Sequence, residues 1–233
     1  MGFASAAEKR AFTRDMFARL APRYELVNVV MSLGQVRAWR RATAAAACVA
    51  DGGWVLDVAA GHGGLSRALA RHWPAARVLA LDFVPQMVQL GRMNDRLVRW
   101  VEGDALQLPF PDGWFGAVTS GFMLRNVVDV QAALAEQVRV VQPGGRVVCL
   151  EMTWPRHPLF RPLFRLYFGG LVPFLGWLLT GQADAYRYLP RSVAEFMSPP
   201  ELVAAMERAG LSQVHYRTMM LGTVTLHVGI REG

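Results

Sequence analysis

Lysine and isoleucine are almost missing from this sequence: Lys9 and Ile230 are the only examples in 233 residues. Positive charge therefore rests on arginine, and aliphatic bulk on valine and leucine. That pattern reads as codon usage, so arginine richness carries little weight as a sign of function. Cysteine is equally scarce. Cys48 and Cys149 cannot build a disulfide framework, and with no CxxC pair or Cys/His cluster no metal site is expected and a reducing compartment is the default. Charged residues are only 18% of the chain against an average of about 25%, while hydrophobic residues reach 53%. Disorder, collagen and coiled coil are excluded on that balance. No internal repeat or low-complexity tract is visible. Charge arrives early, at Glu8, Lys9 and Arg10, which argues against a signal peptide.

What is present raises two questions. The formal net charge is +7 and the isoelectric point about 10.2, which permits contact with anionic lipid or nucleic acid. Mean hydropathy is +0.21, and residues 166–183 carry no charge, close to the roughly 20 residues a membrane span needs. Gly169, Gly170, Pro173, Gly176 and Gly181 interrupt that stretch, with Arg161, Arg165, Asp184 and Arg187 near its ends. A greasy surface helix pair or lid is the expectation.

Residues 8–50 read as helices, with Phe12, Met16, Phe17 and Leu20 at helical spacing and a break at Pro22. Short apolar strands then alternate with helices. Strands are expected at 54–58, 77–81, 99–101, 115–119 and 146–151, with Pro85 opening one helix, Asp129 capping another and a turn at Pro143-Gly144-Gly145. The alternation stops for about fifty residues after Glu151, and resumes with a helix at 201–209 and strands at 213–220 and 223–230. The Leu221-Gly222 turn is too short for a parallel crossover, so the last pair must be antiparallel. This is the plan of an α/β, class I S-adenosylmethionine-dependent methyltransferase: Rossmann-like, a mostly parallel seven-stranded sheet with an antiparallel last strand. One domain, 1–233, is expected, with an N-terminal helical cap (1–50) and a hydrophobic helical insertion or lid after strand five (154–198).

Ligands of such sheets bind beyond the carboxyl ends of the strands. Asp57-x-x-x-Gly61-x-Gly63 follows the first strand, and its glycines let backbone approach a ligand at a helix N-terminus. Asp82 ends the second strand, where a carboxylate can accept from both ribose hydroxyls. Asp104 follows the third, within reach of an adenine amino group. Each acid alone is equally well a helix cap or a turn residue. A dinucleotide site would want GxGxxG, whereas Gly64 is followed by Leu65 and Ser66. The three strand ends together point to S-adenosylmethionine.

The chain also resembles the ubiquinone/menaquinone biosynthesis C-methyltransferases, the UbiE/MenG family, along almost its whole length. The resemblance is carried by Met16-Phe17-x-Arg19-x-Ala21-Pro22-Arg23-Tyr24-Glu25-Leu26-x-Asn28, Ser32-x-Gly34 and Trp39-Arg40. Further along lie Gly103-Asp104-Ala105, Leu108-Pro109-Phe110-Pro111-Asp112, Leu124-Arg125-Asn126-Val127, Asp184-x-Tyr186-x-Tyr188-Leu189-Pro190-x-Ser192 and Leu226-His227-x-Gly229. It implies cofactor residues at His62, Asp82, Asp104, Ala105 and Gly121, to which Asp57, Gly61, Gly63 and Phe83 of the strand ends are added as candidates. The stretch from Leu159 to Leu179, with Tyr24 and Asn28, is expected to form an apolar mouth for a prenyl tail, with Tyr188 as a further substrate contact and Arg156, Arg161 and Arg165 beside it to meet anionic headgroups; an ordinary core helix pair or a dimer interface is the alternative. The family usually has Gly-Thr-Gly-Asp where this chain has Gly61-His62-Gly63-Gly64, and Ser where it has Gly121.

By resemblance the substrate is a prenylated quinol, demethylmenaquinol foremost, methylated on a ring carbon. A ring carbon turns nucleophilic when the neighbouring phenol ionises. An arginine stays protonated and cannot be a conventional base, but Arg125 can stabilise phenolate while Asn126 orients it. His227 is the candidate proton acceptor, although a hydrogen-bonded core histidine is an equal reading, and His62 is expected to line the methionine end. The expected partners are the quinol and an anionic membrane face met peripherally by a cytoplasmic enzyme, with a second copy of the chain as a further candidate. Nucleic acid is not expected, because Thr119-Ser120-Gly121-Phe122 lacks the Pro-Pro motif of base methylation and the basic residues scatter. The alternative is a related methyltransferase acting on another small lipophilic phenol or carbon acid.

Overall fold

The computed structural model describes residues 3–155 and 160–233. Three helices come first: α1 (Ala6–Leu20), α2 (Tyr24–Met31) and α3 (Val36–Ala47). Ser5 caps α1 by accepting from the Glu8 amide, and the break expected at Pro22 is a single 3₁₀ turn, Ala21–Arg23. Then strand and helix alternate: β1 (Trp54–Val58), α4 (Gly64–His72), β2 (Arg77–Asp82), α5 (Pro85–Asn94), β3 (Arg99–Glu102), β4 (Phe115–Gly121), α6 (Val130–Val140) and β5 (Val141–Met152). The Asp129 carboxylate caps α6 by accepting from the Ala132 amide at 2.9 Å. The insertion follows as α7 (Phe160–Leu166), a π-helical turn Tyr167–Leu171, α8 (Val172–Thr180) and α9 (Ala183–Ala194). The chain closes with α10 (Pro199–Arg208), β6 (Leu211–Met219) and β7 (Val224–Arg231).

The strands form one sheet in the order β3-β2-β1-β4-β5-β7-β6. The first five are mutually parallel, and β7 lies antiparallel to both β5 and β6, as the short turn before it requires. The chain winds outward from β1 in both directions, so the crevice between the carboxyl ends of β1 and β4 is the switch point. Period-two alternation sorts the core into layers. Leu56, Val58, Val118 and Val147 pack with α6 and α10, whereas Val55, Ala117, Val78 and Ala80 pack with α3, α4 and α5. A third group, Val148, Leu150, Leu226 and Val228, meets Val36 and Trp39 of α3.

Two expectations need correcting. Strand five starts at Val141, ahead of the turn expected at 143–145. The turn survives as an excursion: Phe115 pairs with Val141 and Ala117 with Arg146, so β5 spends three extra residues there, with Gly144 at φ +76°. The glycines and Pro173 do not break the insertion either. Phe160–Thr180 runs as 21 helical residues, because the widened π turn absorbs the mismatch and places Pro173 in the first turn of α8, where no amide is needed. Gly181, at φ +74°, ends it. By length and composition this helix could cross a membrane. Leu163, Leu166, Phe174, Trp177 and Leu178 are exposed on it. Arg161 and Arg165 are exposed beside them, while Arg156 and Leu159 of the expected flank lie outside the described residues.

Candidate functional site

Beyond β1 the backbone turns through Gly61 (φ +58°) and Gly63 (φ +89°) into the N-terminus of α4. A β-carbon on Gly63 would fall 2.7 Å from the Trp100 ring, so only glycine fits both the conformation and the space. Asp57 lies beneath this loop, buried, accepting from Ser66 Oγ at 2.6 Å and Thr119 Oγ1 at 3.3 Å. Burial pushes its carboxyl up to about 7 in spite of those bonds. Its part is to tie the loop to α4 and β4 from below.

Asp82 stands at the loop's open side. Its Oδ2 accepts from the Gly61 amide at 2.7 Å and its Oδ1 from the Val84 amide at 2.9 Å. A carboxylate offers about four acceptor positions, so both oxygens keep capacity for a pair of vicinal hydroxyls. Phe83, Asp104, Ala105 and Gly121 line the same cavity. Asp104 Oδ1 accepts from the Leu106 amide at 3.0 Å, and Oδ2 meets Arg10 of α1 at 2.7 Å. The Leu108–Asp112 motif shapes this wall: Glu136 accepts from the Leu108 amide, and Arg139 donates to the Leu108 and Phe110 carbonyls and to Asp112. Gly121 leaves room, since a β-carbon there would make only an ordinary 3.6 Å contact with Leu65. Backbone-fixed acceptors for a ribose, an acid for an adenine edge and a glycine loop at a helix N-terminus fit S-adenosylmethionine.

Burial raises the Asp82 carboxyl to about 6, against backbone hydrogen bonds, Val84 and Gly61 foremost, that lower it. Only the ionised form accepts at both oxygens. Protonation as pH falls through 6 therefore removes the ligand contact, and linkage sets a limiting slope of about tenfold in Kd per pH unit. Calorimetric titration with S-adenosylmethionine should show tight binding at pH 8 that weakens progressively below pH 6. A flat profile between pH 7 and 5 would contradict this role.

A second, apolar cavity adjoins the first and shares Phe17, Tyr24 and Asn126 with it. Met16, Leu20 and Val27 line it, with Tyr188 from α9. Arg125 closes its inner end. The guanidinium is buried, donating from Nη1 to Glu151 at 3.1 Å and to the Phe122 carbonyl at 2.9 Å. Its Nε has no hydrogen-bond partner among the described residues. Asn126 donates to the same Phe122 carbonyl at 2.8 Å, and Phe122 itself takes a left-handed φ of +60°, a strained conformation of the kind kept at functional sites. Glu151, 1% exposed, also accepts from the Leu124 amide at 2.6 Å. Burial raises its carboxyl, with Arg125 opposing. Tyr24, hydrogen-bonded to Asn28, is half-buried, and both line this cavity.

His227 is not brought to either cavity. It sits opposite Cys149 on the face covered by α10, its Nε2 3.1 Å from the Pro199 carbonyl and its ring stacked on Tyr216. Burial lowers it to about 4, so it is neutral near pH 7. The core-histidine reading matches this placement. His62 lies in the loop with Nε2 2.8 Å from Glu25 Oε2. Among the described residues no group of His, Cys, Asp and Glu could hold a metal ion.

Three residues behind these cavities carried no role in the sequence: Glu151, which holds Arg125, and the pair Glu25 and Arg40 beside His62. Glu151 had a signal, a lone acid ending the apolar run Val147–Leu150. Glu25 and Arg40 stood inside the N-terminal signature, but nothing local ties them together.

A sequence profile of the ubiE/COQ5 methyltransferase family matches residues 4–231. The demethylmenaquinone methyltransferase of Deinococcus radiodurans is 44% identical over 226 residues, covering 95% of this chain and 93% of that protein. The ubiquinone/menaquinone biosynthesis C-methyltransferase of Desulfotalea psychrophila is 40% identical, covering 93% and 89%. Among solved structures, an S-adenosylmethionine-dependent methyltransferase of Thermotoga maritima superposes with a TM-score of 0.66 at 17% identity, covering 94% of this chain and all of that one; the likeness is one of fold.

Proposed function

This chain belongs to the ubiE/COQ5 methyltransferase family, and from that premise we propose that it methylates a ring carbon of a prenylated quinol, with demethylmenaquinol as the foremost substrate. The observation that carries the reading is the junction of two unlike cavities. One has the acceptors for a nucleoside, and the other is apolar and ends on a buried arginine with a free N–H. S-adenosylmethionine, when bound, supplies the electrophilic methyl group. Asp82 and Asp104 hold the nucleoside, and Phe83, Ala105 and Gly121 shape its walls.

Arg125 acts on the quinol. Its buried guanidinium, whose Nε has no hydrogen-bond partner among the described residues, stabilises negative charge on a ring hydroxyl, and in this low-dielectric setting such a bond is stronger than in water. Ionising that hydroxyl drives electron density onto the adjacent carbon. Glu151 and the Phe122 carbonyl fix the guanidinium, and Asn126 fixes the carbonyl. Tyr24 stands where the two cavities meet, Asn28 lines the apolar one, and Tyr188 closes the prenyl side. The N-terminal helices and the insertion together act as the cap that excludes water.

We place the enzyme at the cytoplasmic face of the membrane, with Leu163, Leu166, Phe174 and Trp177 dipping into lipid and Arg161 and Arg165 on anionic headgroups, each worth on the order of 1 kcal/mol. Flotation should then show more protein on vesicles with anionic lipid than on neutral ones, and Trp177→Ser with Phe174→Ser should release it. Equal flotation on both lipids would contradict the headgroup contacts. The function itself is tested by incubating labelled S-adenosylmethionine with reduced naphthoquinone and benzoquinone precursors bearing short prenyl tails. Label on the naphthoquinol is expected, and no label on either ring would contradict the reading.

A further inference from the structure

Arg40 and Glu25 form a pair that neither the nucleoside contacts nor the quinol chemistry uses. The Arg40 guanidinium grips Glu25 through two parallel hydrogen bonds of 2.8 and 2.9 Å. Its side chain is 12% exposed, and it lies flat on Gly64, the first residue of α4. A β-carbon at Gly64 would overlap the guanidinium, 2.7 Å from Nε. Glycine at 64 is therefore what lets the arginine reach the α4 N-terminus.

Both the arginine and this N-terminus face a small cavity lined by Tyr24, Gly61, His62 and Gly121. Tyr24, Gly61 and Gly121 line the nucleoside cavity too, so the two spaces are continuous. Two of the five N–H groups of Arg40 are used on Glu25, and three remain. Glu25 takes two bonds from Arg40 and a third contact from His62 Nε2 at 2.8 Å, leaving about one of its four acceptor positions open. Arg40, a cation with spare donors, lines the end of this cavity, and Glu25, an anion with a spare acceptor, is bonded directly to it; such a pair complements the zwitterion of an α-amino acid.

Resting on the cofactor reading above, we propose that Arg40 and Glu25 bind the amino-acid end of S-adenosylmethionine, the α-carboxylate on Arg40 beside the α4 N-terminus and the α-ammonium on Glu25. Gly64 belongs to this site as the residue whose missing side chain admits Arg40. Because α2 supplies Glu25 and α3 supplies Arg40, the N-terminal cap is part of the cofactor site itself.

The test uses three ligands: S-adenosylmethionine, its decarboxylated form, which differs only at this end, and 5′-methylthioadenosine, a neutral thioether that lacks the amino acid altogether. Calorimetry on the wild type should rank S-adenosylmethionine above the decarboxylated form by about 10- to 100-fold. Arg40→Met keeps the apolar stem, and should collapse that ratio to near one while methylthioadenosine affinity stays within about twofold of the wild type. Glu25→Gln should weaken both ammonium-bearing ligands and spare methylthioadenosine. If Arg40→Met weakens all three ligands by one factor, or leaves the ratio intact, Arg40 is only a structural bolt and the proposal is overturned. A wild type that binds none of the three contradicts the cofactor reading as well, which separates the two failures.

Discussion

Replacing Asp82 with alanine is expected to lower affinity for S-adenosylmethionine by about 100-fold or more, the largest binding effect available from one side chain. The reasoning is additive over two contacts. Each hydrogen bond to a charged group contributes about 1.5–3 kcal/mol, and two vicinal hydroxyls on one buried carboxylate reach the tenfold step of 1.4 kcal/mol at least twice. The variant also frees the Gly61 and Val84 amides, so loop distortion adds to the loss. Asp82→Asn separates the parts: it fills the space and keeps one acceptor, and should lose at least about tenfold. Calorimetry reads affinity, and a thermal melt checks that the fold is retained. Wild-type affinity in Asp82→Asn would remove this residue from the site.

Arg125→Met should leave S-adenosylmethionine binding within about twofold and cut kcat by about 10²- to 10⁴-fold, the range for losing a charged group that stabilises developing charge. Methionine matches the aliphatic stem while removing the guanidinium. The remaining worry is Glu151, which would be a buried carboxylate without its partner. Its carboxyl is already raised by burial, so it takes up a proton instead of remaining charged. Glu151→Gln tests positioning from the other side. It preserves the acceptor for the Leu124 amide but loosens the guanidinium, so kcat should fall less than in Arg125→Met. KM should rise little in either variant if the prenyl tail supplies most of the binding. Stopped turnover with intact cofactor binding supports the assignment, and unchanged kcat in Arg125→Met contradicts it.

The legible parts of this protein were those set by short stretches of chain. Trp54–Val58 and Phe115–Thr119 are apolar runs that must be buried on both faces, and a parallel sheet is where such runs go. Asp82 and Asp104 follow from position alone, because a residue just past a strand in this topology lies at the crevice. Pairings between distant segments were not legible. Nothing near Glu151 shows that it meets Arg125, and nothing near Arg40 shows that it lies on Gly64. His227 left two readings open for a related reason: a histidine within an apolar strand looks placed for chemistry until α10 is seen to cover that face. The insertion misled through composition, since Gly169, Gly170 and Pro173 usually end a helix. Here a π turn takes in the two glycines, Pro173 falls in the first turn of α8, and the helix continues.

The central claim is methylation at carbon, and its most direct measurement is the redox behaviour of the product. After incubation with demethylmenaquinol and S-adenosylmethionine under reducing conditions, the extracted product is exposed to air and its mass is read. A ring-methylated quinol keeps both hydroxyls and should reoxidise fully to a quinone one methylene heavier than the starting quinone. A product that carries the extra methyl but resists reoxidation would be an ether on oxygen, and would contradict the account.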